Sequence, residues 1–76
     1  MDVVLYTRRG CRLCEAAEDL VAVLCPAVRL VEVSGDAALE ARYGDRVPVL
    51  AVEGRVVAEG RFDEAAVAAA LITGRG

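Results

Sequence analysis

Histidine is absent from this 76-residue sequence, and so is lysine, so the nine basic residues are all arginine. Without imidazole, a zinc site would have to draw on cysteine and carboxylate. Aromatics are few, two Tyr and one Phe with no Trp, and the net charge is −3. Such a mildly acidic chain is a poor nucleic-acid binder, because neutralising phosphates takes a basic surface. No apolar run approaches the ~18–20 residues of a membrane span. No basic start leads into an apolar stretch, so no secretory signal is expected. Repeats, linkers and low-complexity stretches are missing too, and residues 1–76 are expected to form one small domain.

The composition is 57% hydrophobic, mostly Val, Ala and Leu, which excludes disorder. A domain this short buries only about 60% of the surface its unfolded chain exposes, so the core is limited. The cysteine count is three, an odd number. A secreted disulfide scaffold would more often carry an even count at higher density. The expectation is a cytoplasmic protein with one functional pair and one packing thiol.

Asp2 to Thr7 is continuously apolar after its first residue, as suits a central strand covered on both faces. A loop through Gly10 follows. From Cys11 the period becomes helical, with Leu13, Ala16, Ala17, Leu20 and Leu24 on one face. Glu15, Glu18 and Asp19 suit the positive end of the helix dipole. Pro26 ends the pattern, so the helix is expected over about Arg12 to Leu24. Val28–Val33 reads as a second, parallel strand joined by a right-handed crossover. Asp36 is a candidate N-cap for a short helix, Ala37–Tyr43, with Leu39 and Tyr43 inward and Gly44 at C′.

Val47–Val52 and Arg55–Ala58, joined by Glu53-Gly54, read as a hairpin. Asp63 can cap a last helix over about Ala65–Ile72, with Phe62 stapled on Val67; 73–76 should fray. The order βαββα-like in its second half and βαβ in its first gives, in full, βαβαββα: an α/β fold with a four-stranded mixed sheet flanked by helices.

Chemistry concentrates in Gly10-Cys11-Arg12-Leu13-Cys14. Thiol–disulfide exchange needs an attacking thiolate and a second thiol to resolve the mixed disulfide. Cys11 opens a helix, where free N–H groups and the dipole favour the thiolate, and Arg8, Arg9 and Arg12 add positive charge. Cys14, one turn on and more enclosed, keeps its proton longer. Cys11 is therefore assigned as nucleophile and Cys14 as resolving thiol, their spacing suited to a disulfide. Cys25 on the same helix would lie ~16 Å from Cys14 at ~1.5 Å per residue, too far for a shared metal or disulfide. Cys25 reads as a packing residue.

This layout resembles the glutaredoxin branch of the thioredoxin fold over nearly the whole chain. The matching stretches are Tyr6-Thr7-Arg8-Arg9-Gly10-Cys11-Arg12-Leu13-Cys14, Arg46-Val47-Pro48 and Gly60-Arg61-Phe62-Asp63-Glu64. Glutaredoxins carry Pro and an aromatic between the cysteines, Thr before Val-Pro and a second Gly before the last helix. Here Arg12 and Leu13, Arg46, and Arg61 stand instead, at positions the family uses to hold glutathione.

The resemblance implies a cis Val47–Pro48 bond facing the cysteines, with the Val47 N–H and C=O turned to an extended substrate backbone. Arg8 and Arg46 are candidates for a substrate carboxylate, Arg12 for contact beside the nucleophile, and Gly60 and Asp63 for the other end of a peptide. N-cap service explains Asp63 equally well.

The expected activity is dithiol–disulfide oxidoreduction on protein disulfides or glutathione mixed disulfides. No permanently bound cofactor is expected, and glutathione, a thioredoxin reductase or another dithiol protein could supply electrons. Two alternatives stay open: a glutathione-dependent iron–sulfur cluster carrier, and a non-catalytic adaptor.

Overall fold

The computed structural model describes residues 1–75, with side chains through 72. Seven elements follow one another: β1 (Val3–Thr7), α1 (Arg12–Leu24), β2 (Arg29–Glu32), α2 (Ala37–Tyr43), β3 (Val49–Val52), β4 (Arg55–Glu59) and α3 (Glu64–Arg75). The sheet order is β2-β1-β3-β4. β1 is parallel to β2 and antiparallel to β3, and β3 is antiparallel to β4. The uninterrupted apolar strands β1 and β3 take the centre, where both faces are covered. β2 and β4, which alternate more, take the edges and are more exposed.

Period-two alternation splits the core in two. Val3, Leu5, Leu50 and Val52 face α1 and α3, packing on Ala17, Val21, Val67 and Ala70. Tyr6 and Val49 join Val33, Leu39, Val47 and Tyr43 on the α2 side. Full burial of side chains this size contributes roughly 1.5–3 kcal/mol each, so the larger first layer dominates stability.

The inward line of α1 differs from the one expected. Cys14, Ala17 and Val21 are buried, Leu20 and Leu24 flank them, Leu13 is 41% exposed and Ala16 is exposed. Two adjacent lines of this helix are apolar, so periodicity alone does not choose between them. The line beneath β1 and β3 is the one that carries Cys14.

Local signals explain the ends. Glu53 and Gly54 both have positive φ, 51° and 79°, the type I′ geometry that matches strand twist. Pro48 gives no N–H to a ladder, and β3 starts after it rather than at Val47. Asp36 Oδ1 accepts the Leu39 N–H at 3.1 Å, and Asp63 Oδ1 accepts the Ala66 N–H at 2.7 Å. Phe62 packs on the core that holds Val67.

Gly44 is not a left-handed C′ residue: it caps α2 in right-handed geometry, φ −52° and ψ −40°. α3 continues past Ile72 to Arg75. The frayed tail expected at 73–76 falls on side chains, and at 76 on backbone, outside the described residues. No helix among the described residues is long and apolar enough to cross a membrane.

Candidate active site

β1 ends at Thr7, and Gly10, with φ +78°, turns the chain into α1. Cys11 is the N-cap of α1, in extended geometry at φ −100° and ψ 116°. Its carbonyl accepts the Glu15 N–H at 3.0 Å, and its sulfur accepts the Cys14 N–H at 3.2 Å. A thiol thus fills the place usually held by a capping hydroxyl or carboxylate. Cys11 is part-exposed and Cys14 is 0% exposed; all three cysteines are free thiols.

Burial pushes the Cys14 thiol up from its usual range, and the neighbouring Cys11 adds to this. The Thr7 side chain and the Arg8 backbone N–H act in the opposite direction. Thr7, itself buried, donates its hydroxyl to Glu18 Oε2 at 2.8 Å. Neither Thr7 nor Glu18 is among the candidate site residues read from the sequence. The available signals are that Thr7 closes the strand leading to the cysteines, and that Glu18 stands four residues after Cys14, on one helix face.

The antiparallel register pairs Tyr6 with Val49, which sets the start of β3 beside the end of β1. The Val47–Pro48 peptide bond is cis, Pro48 is fully buried, and its carbonyl accepts the Gly60 N–H at 2.9 Å. Cys11, Cys14, Pro48 and Gly60 therefore gather at one end of the sheet. The Val47 N–H donates to the Tyr43 carbonyl at 3.0 Å. It closes the turn after α2, which corrects the expectation that it faces a substrate.

Arg8 and Arg46 are engaged within the fold. Arg8 Nη2 donates to Glu40 Oε1 and to the Gly44 carbonyl, the latter at 2.9 Å. A β-carbon at Gly44 would lie 2.5 Å from the Glu40 carbonyl oxygen and 2.8 Å from Arg8 Nη2, so this close approach calls for glycine. Arg46 donates through Nε, at 2.9 Å, and through Nη2 to Glu59 Oε2. That hydrogen bond holds the guanidinium above its ordinary pKa.

Arg42 and Arg46 lie over the Tyr43 ring, at 5.6 and 5.9 Å, and Tyr43 stacks on Tyr6 at 4.3 Å. Arg12 is exposed, and Asp63 caps α3. Cys25 caps the far end of α1 and packs against the larger core layer.

A cleft of about 270 Å³ opens along the β1–α1 turn, lined by Thr7, Arg8, Arg9, Gly10, Glu15, Glu18 and Glu32. Among the described residues no three His, Cys, Asp or Glu side chains converge on a position for a metal ion.

A four-stranded mixed sheet in this order, with paired cysteines on the first turn of α1 and a cis proline entering the adjacent strand, defines a thioredoxin-like protein. The family model for the glutaredoxin-like domain (DUF836) matches residues 2–72, and the chain belongs to that family. The X-ray structure of a structural genomics target protein from X. campestris is similar, with a TM-score of 0.85 and 38% identity. That similarity covers 93% of this chain and 96% of the other. No curated protein matches the chain.

Proposed function

We propose that this protein is a dithiol–disulfide oxidoreductase. One observation carries the reading: the part-exposed Cys11 sulfur caps α1 and accepts the Cys14 N–H, with Cys14 fully buried one turn away. A sulfur so placed faces free N–H groups and the positive end of the helix dipole, the setting in which an attacking thiol is commonly held. The Cys11 thiolate attacks a substrate disulfide, forming a mixed disulfide and releasing one thiolate. Cys14 then attacks Cys11 Sγ, which expels the second substrate thiol and leaves a Cys11–Cys14 disulfide.

The substrate is a disulfide-bearing protein or a glutathione mixed disulfide, and glutathione or a reductase returns the pair to dithiol in a reducing compartment such as the cytoplasm. The Val47 carbonyl and Pro48 offer an edge to an extended chain, with Gly60 and Asp63 beyond. Arg8 and Arg46 take a substrate carboxylate by exchanging it for Glu40 and Glu59.

The test is reduction of a protein disulfide by the prereduced chain. Cys11→Ser should fall to the uncatalysed background, and Cys14→Ser should accumulate the mixed disulfide, seen as an intact-mass adduct. Wild type no faster than Cys11→Ser would overturn the reading.

A further inference from the structure

Arg46 stands immediately before the cis Val47–Pro48 bond, at the end of the sheet that carries Cys11 and Cys14. Each nitrogen of its guanidinium donates within the fold. Nε and Nη2 donate to Glu59 Oε2, and Nη1 donates to the Arg42 carbonyl at 3.5 Å. The Tyr43 ring lies beneath.

The sheet delivers that carboxylate through an irregularity. β3 and β4 pair Val52 with Arg55 and Ala51 with Val56, then Leu50 with Ala58 and Val49 with Glu59. Val57 is the extra residue of a β-bulge, and Val57 and Ala58 both pack on the layer around Leu50. In unbroken register Ala58 would stand opposite Val49, and Glu59 would turn to the other face. Val49 belongs to the Tyr43 layer, and residues directly opposite share a face. The bulge therefore re-aims Glu59 to the side of Arg46 and Tyr43. Glu59 also precedes Gly60, whose N–H donates to the Pro48 carbonyl.

We propose that Glu59 is a specificity-determining residue, an internal carboxylate that fills Arg46 and so disfavours disulfides that bring a carboxylate of their own. The class favoured is a disulfide on an extended polypeptide, flanked by main-chain amides and uncharged side chains.

The mechanism is competition. A substrate carboxylate reaches Arg46 only in the fraction of molecules in which Glu59 has let go, and its apparent affinity falls by that fraction. The short tether keeps the internal competitor at high local concentration. The filled pair has no net charge, so it gives an arriving anion no pull. A main chain that pairs with the Val47 carbonyl needs no exchange. Arg8, on the other side of the site, is filled in the same way by Glu40 and the Gly44 carbonyl.

This proposal rests on the oxidoreductase reading, and the experiment tells the two apart. In a Cys14→Ser, Cys25→Ser protein, Cys11 is the sole thiol. The parent is mixed with excess oxidised glutathione, or with its glycyl ethyl diester, which has the same disulfide without the two glycyl carboxylates. Cys11 Sγ attacks one sulfur of the probe. The probe S–S bond breaks, the Cys11 mixed disulfide forms, and the electron pair leaves on the other sulfur as a thiolate. Intact mass after acid quenching follows the adduct, and the readout is the ratio of the two rate constants, acid over ester. The same ratio is read in the Cys25→Ser protein as formation of the Cys11–Cys14 disulfide.

Glu59→Gln should raise the ratio about two- to fivefold, the range of an exposed ion pair. The gain should shrink at about 1 M salt. Adding Arg46→Gln should abolish the gain, since no cation is left to compete for. A ratio that does not rise would overturn the proposal. So would a gain that survives Arg46→Gln, the mark of plain repulsion by a carboxylate. In both cases the parent's adduct leaves the oxidoreductase reading standing. A parent that forms no adduct with either probe would overturn both.

Discussion

Single side chains divide the labour at this site. Cys14 is the one whose environment works against the resolving role proposed for it, and that has a thermodynamic signature. Burial raises its thiol in the folded chain, whereas the unfolded thiol titrates near ~8.5. Below that pH both states hold the proton and stability is unaffected. Above it the unfolded chain releases the proton that the folded chain keeps, so stability falls as pH rises.

Under reducing conditions the urea midpoint should therefore drop between about pH 8 and 9.5, and less so in Cys14→Ala. Tyr6, also pushed up by burial and by Tyr43, adds its own loss only nearer ~10. Gly44 makes a second prediction. An alanine there meets Glu40 and Arg8 at less than ordinary contact, and overpacking of this kind typically costs about 1–3 kcal/mol. Gly44→Ala should lower the urea midpoint accordingly.

At the level of elements, α1 shows where pattern and structure part. Its bounds, Arg12 and Leu24, are readable because Pro26 follows and the cysteines open it. Its buried line is not readable from period alone, since Val21 and Cys14 compete with Leu13 and Ala16 for the inner face. Val21→Ala should cost roughly 2 kcal/mol or more, a lost transfer contribution plus a cavity. Val23→Ala, at a residue 78% exposed, should stay within about 0.5 kcal/mol. Equal losses in chemical denaturation would show the helix rotated from this placement. The two capped helices and the Glu53-Gly54 turn were legible because each depends on neighbours in sequence. The Arg8–Glu40 and Thr7–Glu18 pairs were not, because they depend on how α1 and α2 come to lie against the end of β1.

Over the whole molecule, topology does what no local stretch can. Parallel β1–β2 pairing and antiparallel β1–β3 pairing carry residues 11, 14, 48 and 60 to one end of the sheet. The fold class and the cysteine pair were visible in advance, since strand, loop and helix periods announce them. The engagement of Arg8 and Arg46 with Glu40 and Glu59 was not, because surface charges choose partners only once the chain is closed.

The placement of α1 has one more consequence. With Cys14 turned inward, Arg12 and Leu13 stand outward beside Cys11, exposed and clear of both core layers. Mutation at these two positions is nearly free of folding constraint, so the surface beside the cysteines can change while the exchange chemistry proposed for them is left intact. A randomised library at positions 12 and 13 should be dominated by well-folded members that differ in substrate preference.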